Sequence, residues 1–426
     1  MPDDQRPQQS MSARSVGIAA FSTVVEWYDF TLYLYMATIL ARVFYGGGAG
    51  SLTDTLAAFA LAYLMRPLGA VLFGHIGDRF GRRRTMLLSM AMMTAAMLAT
   101  ALLPTYAQIG PAAGWLLLGL RCIMAFSVGG EYTGVVAYLM EGAPPRRRGL
   151  VTSLASGTSE IGALLAAGVT AITVTAMPAD ALNGWGWRIP FFVGAALAAG
   201  VLLVRSRMQE SPEFERQQRV GSVPSSPLRH VLAHHRSAIG RGFAISALGS
   251  ITYYVGITYV PAFLGAAGVV REGEALWLST MAALAVILVT PVAGSLSDRV
   301  GRRPVLIALG IIGALLPVAM FHLMAGGDAG LVLIGAVSLG LLGGAVSAVG
   351  AVTTAEQFPG EGRLSGLALG ATGATAIFGG LAPYVAHNLV GWTGSPLAPG
   401  LMIAAVALCV MPVLLRLPES AGTKYA

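Results

Sequence analysis

A chain of 426 residues that is 55% hydrophobic and only 11% charged is far more apolar than soluble domains, in which about a quarter of residues carry charge. A mean hydropathy of +0.70 argues against a soluble enzyme, and the formal charge of +7 is scattered between apolar stretches rather than gathered into a nucleic-acid groove. Both cysteines, Cys122 and Cys409, fall inside apolar stretches, which argues against a structural disulfide.

A helix of ~20 apolar residues crosses a bilayer, and roughly twelve such stretches follow one another along the chain. They lie near residues 16–43, 55–74, 84–104, 112–140, 149–177, 187–204, 238–266, 274–297, 304–324, 330–358, 363–391 and 398–416. Residues 1–15 are polar and run into a long apolar stretch, so the first is expected to be a retained span rather than a cleaved leader. Arg79, Arg82, Arg83 and Arg84 follow the second span, and Arg146, Arg147 and Arg148 the fourth. Arg205, Arg207, Arg216, Arg219, Arg229, Arg236 and Arg241 lie in or beside the segment after the sixth. Arg299, Arg302 and Arg303 follow the eighth, Arg363 the tenth, and Arg416 and Lys424 the twelfth. The opposite loops hold only Arg42, Arg188 and Arg271. Because cytoplasmic loops carry the excess of Lys and Arg, both termini are expected in the cytoplasm.

The chain also repeats itself. "GHIGDRFGRRR" (Gly74 to Arg84) follows the second span and "GSLSDRVGRRP" (Gly294 to Pro304) the eighth, an offset of 298 − 78 = 220 from Asp78 to Asp298. "EGAPPRRRG" (Glu141 to Gly149) ends the fourth span and "EQFPGEGRLSG" (Glu356 to Gly366) the tenth, an offset of 356 − 141 = 215. Two halves of six spans are therefore expected, 1–205 and 238–426, joined by a polar linker, 206–237, that contains Pro212, Pro224 and Pro227. A lone Asp-Arg-x-Gly-Arg-Arg turn could be a mere topology signal. Its recurrence at the same place in each half points to a lock, because the Asp can accept from Arg or from helix-end amides.

Gly74-x-x-x-Asp78-Arg79-x-Gly81-Arg82-Arg83, repeated at 294–303, resembles the signature loop of the major facilitator superfamily. "EWYDF", "LMRPLGA" (Leu64 to Ala70), "SVGGEYTG" (Ser127 to Gly134), "WGWRIPFF" (Trp185 to Phe192) and "SDRVGRRP" together are similar to its metabolite:proton symporter branch. That branch includes carriers for proline and betaine, oxoglutarate, citrate and shikimate. The resemblance covers nearly the whole chain. It implies an all-α membrane protein of about twelve transmembrane helices in two pseudo-symmetric six-helix bundles, with a midplane site and alternating access.

Ionisable residues inside spans are functional candidates by default. Glu26 and Asp29 lie in the first span, Arg66 in the second, Arg121 and Glu131 in the fourth and Glu160 in the fifth. The second half holds almost none beyond His322 and His387 near span ends, so proton handling is expected in the first half. Glu26 and Asp29, spaced i, i+3, share a helix face with Tyr33 one turn on and are expected to face a central cavity. A carboxyl that exchanges a proton as the cavity opens to each side is what proton coupling requires; the alternative is a permanent ion pair. Glu131 is a further candidate proton carrier. Arg121 sits where the superfamily usually has Arg-x-x-Gln-Gly, but the chain reads Arg121-Cys122-Ile123-Met124-Ala125, without the Gln and Gly. It either grips a substrate carboxylate through its fork or neutralises Glu26 or Glu131. Arg66 is expected to meet a carboxylate near a gate, and Glu160 either packs helices or joins the cavity.

Tyr253 and Tyr254 in "ITYYVGITYVPAFL" (Ile251 to Leu264) are expected, with Tyr33 and Arg121, to contact substrate, on a helix that Gly256 and Pro261 can bend. "ATAIFGG" (Ala374 to Gly380) reads as structural. Asp78, Arg79, Arg82 and Glu141, and their repeats Asp298, Arg299, Arg302 and Glu356, are the expected gates. His230, His234 and His235 read as a solvated patch without acid or Cys ligands beside them. No phosphate loop, dinucleotide fingerprint or Cys/His cluster suggests a cofactor, a metal or an enzyme. The expectation is a proton-coupled symporter that imports a small organic acid of di- or tricarboxylate type, a monomer in a bacterial-type inner membrane. Its partners are substrate, proton and lipid, not nucleic acid. The resemblance brings the choice of acid, since the osmosensing betaine carriers of the branch carry a long heptad tail and this chain ends soon after the twelfth span. A symporter for a zwitterion such as proline or betaine, a drug/proton antiporter and a non-transporting receptor stand as alternatives.

Overall fold

The computed structural model describes residues 13–48, 50–223, 225–266 and 272–422, which are mostly helical with no strand among them; Arg271 and Lys424 lie outside the described residues. Ten helices among these residues are long and apolar enough to cross a membrane. Two more polar helical stretches complete the expected set. The first, α1, is Ala13–Tyr35, continued beyond a break at Met36 by Ala37–Phe44. Its first piece, 23 residues, rises ~34 Å, enough for a hydrocarbon layer of ~30 Å. Then come α2 (Ala57–Phe80), α3 (Arg82–Ala101), α4 (Ala112–Gly142), α5 (Pro145–Ala176) and α6 (Arg188–Arg205). The other polar stretch, α7, is Arg236–Tyr253, continued by a π-helical turn at Tyr254–Thr258 and by Val260–Ala266. α8 (Leu278–Val300), α9 (Arg302–Ala325), α10 (Ala329–Glu356), α11 (Arg363–Thr393) and α12 (Ala398–Leu415) follow. The protein is a multi-pass membrane protein.

Local sequence explains the interruptions. α2 breaks at Leu64, because Pro67 has no N–H to give the Tyr63 carbonyl one turn back. α4 breaks at Gly130 and restarts with Glu131 in its first turn. The glycines at 69 and 129 let α2 and α4 touch backbone to backbone: a Cβ on Gly69 would stand 1.8 Å from the Phe126 carbonyl oxygen, and one on Gly129 would stand 2.1 Å from that of Arg66. Between residues 206 and 237 lie two short helices, Pro212–Val220 and Pro227–His234. Ser211 caps the former by accepting from the Phe214 N–H at 3.1 Å.

Across the middle of the molecule α5 packs on α8 and α10, and α2 packs on the start of α11. An apolar cluster joins the two sides near the arginine-rich end, with Val135, Leu139 and Met208 from the first and Val352, Phe358 and Leu364 from the second. Further apolar clusters lie wholly within α1–α6 or within α7–α12 and its following turn.

Candidate functional site

Between these helices lies a cavity of about 170 Å³. α1 contributes Glu26 and Trp27, α2 Tyr63 and Arg66, α5 Ser156 and Glu160, and α7 Tyr253 and Tyr254. Arg66 donates to one Glu26 oxygen, Oε1, at 3.1 Å, and its guanidinium lies over the Tyr63 ring at 4.9 Å. The other oxygen, Glu26 Oε2, is buried with no hydrogen-bond partner among the described residues. The Tyr253 hydroxyl donates to Glu160, and Trp27 meets the Tyr253 ring edge-on at 5.3 Å. Tyr63 and Tyr254 share a 2.8 Å hydrogen bond between their hydroxyls. Thr375, in the stretch read as structural, lines the cavity and bonds Ser250 at 2.9 Å. Two π-helical turns, Ala368–Thr372 and Ala376–Leu381, interrupt α11 there, as one interrupts α7 at Tyr254. Such turns recur at functional sites.

Asp29 does not share the cavity with Glu26. Three residues advance a helix by 300°, so the two carboxyls point ~60° apart, and that angle turns Asp29 towards α4. There Arg121 grips it through both nitrogens, at 2.9 Å each, and stands 5.2 Å from the Tyr33 ring. Tyr33 donates to the Thr55 carbonyl at 3.0 Å. Arg121 thus meets neither Glu26 nor Glu131, and Asp29, Arg121 and Tyr33 all lie off the cavity wall. Glu131 is likewise off the wall: Arg205 bonds both its oxygens and Ser89 donates to Oε2 at 2.7 Å. Arg66, expected near a gate, is the cavity's guanidinium instead.

At the arginine-rich end the duplicated motif builds the same contact twice. Asp78 accepts from the N–H groups of Leu364 (3.2 Å) and Ser365 (2.8 Å) at the start of α11. Asp298 accepts from those of Gly149 (2.8 Å) and Leu150 (2.9 Å) at the start of α5. The recipient offset is 364 − 149 = 215, that of the second repeat. Arg82 ties Asp78 (3.2 Å) to Glu141 (3.1 Å) and donates to the Gly360 carbonyl at 2.8 Å; Arg363 also bonds Glu141, at 2.6 Å. Arg302 ties Asp298 (2.8 Å) to Glu356 (3.2 Å). The helices nearly touch beneath these bonds, a Cβ on Gly149 standing 2.4 Å from the Gly294 carbonyl oxygen. Arg79 and Arg299 are exposed and outside both networks; Arg79 lies over the Phe80 ring at 5.2 Å.

Sequence reasoning missed two members. Glu210 accepts from the N–H groups of Arg82 (2.9 Å) and Arg83 (3.1 Å), and Glu419 from those of Arg302 (2.8 Å) and Arg303 (3.1 Å). Each carboxylate caps the helix that follows a positive-φ glycine, Gly81 (+109°) or Gly301 (+115°). The signal was present: "MQES" and "LPES" recur at an offset of 419 − 210 = 209. The two differ in charge state preference. Burial pushes the Glu210 carboxyl up, against the pull of the Ser211 and Arg83 amides. At Glu419 burial pushes the same way, but the amides of Ala421, Arg302, Arg303 and Ser420 outweigh it and hold the group below the usual range.

Twelve helical stretches around a small cavity with charged groups on its wall, and a duplicated Asp–amide contact at one end, have the architecture of a membrane carrier. Residues 16–222 match the family model "Sugar (and other) transporter", and residues 269–425 match "Major Facilitator Superfamily". The chain is 31% identical to a glycine betaine/proline/ectoine/pipecolic acid transporter of Dickeya dadantii, over 99% of this chain and 85% of the relative. It is 34% identical to the Alpha-ketoglutarate permease of Escherichia coli, over 87% and 86%. A solved structure of a proton:xylose symporter superposes with a TM-score of 0.77 at 19% identity, covering 97% of each chain, which speaks for the fold. The chain belongs to the major facilitator superfamily. It is a membrane transporter.

Proposed function

We propose that the protein is a proton-coupled symporter that takes up a small zwitterionic solute, of the betaine or proline type, across a bacterial inner membrane. The observation that carries this reading is the charge inventory of the cavity: one guanidinium, Arg66, beside two carboxyls, Glu26 and Glu160, with Trp27, Tyr63, Tyr253 and Tyr254 around them. A di- or tricarboxylate needs more than one cation, and Arg121, the other mid-span arginine, is taken by Asp29. A zwitterion is matched at both ends: Arg66 takes its carboxylate, while Glu160 and the aromatic faces take its ammonium. This supports the zwitterion over the organic acid expected from the sequence. The 34% identity to the Alpha-ketoglutarate permease favours a second reading, an organic anion on Arg66.

Glu26 is the coupling acid in this reading, since Asp29 and Glu131 have both oxygens engaged and Glu26 has one without a partner among the described residues. The arginine-rich end is cytoplasmic, by the positive-inside rule. Residues 1–205 and 238–426 move as two bundles within one functional monomer, and the Asp78 and Asp298 networks hold the cytoplasmic side closed.

Uptake into proteoliposomes tests this reading. Accumulation of labelled betaine or proline rises with an inward proton gradient and collapses with a protonophore. Indifference to the gradient, or a need for ATP, overturns symport. Binding of citrate or oxoglutarate with none of betaine or proline moves the substrate to the second reading.

A further inference from the structure

A second hollow lies away from the central cavity, on the outer face of the first six helices. α1 and α6 leave between them a groove of about 760 Å³, walled by Ile18, Phe21, Val193, Leu197 and Val204. Two glycines form part of it, and neither is needed for packing among the described residues: a Cβ on Gly17 or on Gly200 would meet none of them within 4 Å. That separates them from Gly69 and Gly129, whose missing side chains let helices touch. At the arginine-rich mouth stands Arg14, exposed and lining the groove, and Arg207, also exposed, follows the end of α6. Neither arginine has an ion-pair partner among the described residues.

We propose that this groove binds one phospholipid with an anionic headgroup. The wall residues of α6, Val193 to Val204, cover ~16 Å along the helix. One leaflet contributes about half of a ~30 Å hydrocarbon layer, so the groove has the depth of a single acyl chain. A transmembrane helix of a second copy would require a groove through both leaflets. The apolar floor takes the chain, and the guanidinium at leaflet height takes the phosphate, which zwitterionic headgroups shield with their own ammonium. The groove does not touch the central cavity, so the proposal stands apart from the transport reading.

Native mass spectrometry of the full chain, released from vesicles of equal parts dioleoyl phosphatidylglycerol and dioleoyl phosphatidylcholine, reads the occupancy. The wild type retains one phosphatidylglycerol in clear preference to phosphatidylcholine. Gly200→Leu fills the groove and Arg14→Gln removes the headgroup contact; each lowers retention at least fivefold. Gly168→Leu, on α5 and equally open, leaves it unchanged. Equal retention of the two lipids by the wild type overturns the proposal. So does a loss in Arg14→Gln with full retention in Gly200→Leu, which would assign the lipid to the arginine alone.

Discussion

Glu26 and Asp29 stand one helical turn apart and do different things because their neighbours differ. Glu26 has Arg66 on one oxygen and, among the described residues, no partner on the other, so a proton or a substrate group can join it without breaking an existing bond. Glu26→Gln is therefore expected to keep substrate binding and substrate exchange while losing accumulation driven by a proton gradient. Counterflow and gradient-driven uptake, measured on the same vesicles, check this; wild-type accumulation in the variant removes Glu26 from coupling. Asp29 and Arg121 form a buried two-bonded pair, and removing one partner leaves an uncompensated charge. Arg121→Ala should cost on the order of 3 kcal/mol, read as a fall in melting temperature in detergent. The neutral double variant Asp29→Asn with Arg121→Gln should recover much of that loss. The charged candidates were legible in the sequence because a charge in an apolar span stands out. Their partners were not, since ~60° around a helix decides which neighbour a side chain meets.

Helix ends carry the Asp–amide contacts and their capping carboxyls, and there the two halves are alike in geometry while the two caps shift in opposite directions. Glu419 has its folded pKa held below the unfolded value, so its contribution to stability is present above the unfolded value and lost as pH falls through the lowered one. Glu210 has its folded pKa raised, so the sign reverses: its contribution is present below the unfolded value and lost as pH rises through the raised one. Desolvation of the charge at the half-buried Glu210 therefore opposes folding where that group is ionised, while the amide-bound charge at the exposed Glu419 supports it. Glu419→Gln is accordingly expected to lower the melting temperature at pH 7 more than Glu210→Gln, with the difference shrinking towards pH 4. Equal shifts at both pH values would mean that the caps act through hydrogen bonds alone. Twelve spans could be read from hydropathy, and the duplicated loop from its offset. The caps escaped notice because a short Glu-Ser repeat carries meaning only once the glycine turns bring it against the next helix.

At the scale of the whole molecule, the two Asp locks are copies of one contact, and each joins a helix of the first six to one of the last six. If both sides of the molecule must part for the cavity to open at the arginine-rich end, both locks bias one equilibrium and their effects multiply. Asp78→Asn and Asp298→Asn each weaken charge-assisted bonds to two backbone amides, a loss of about 1.5 kcal/mol apiece. A difference of about 1.4 kcal/mol is tenfold in a population. Each single variant should therefore raise the open fraction about tenfold, and the pair about a hundredfold, since the two sites share no partner and distant effects add in free energy. Thr372 lines the cavity and makes a suitable reporter. Thr372→Cys, in a background with Cys122→Ser and Cys409→Ser, would be labelled from the arginine-rich face by a water-soluble maleimide, at a rate that follows the open fraction. Multiplying rates identify one concerted opening. A double variant no faster than the faster single one would instead mean that a single lock controls access and that its copy merely fastens two helices.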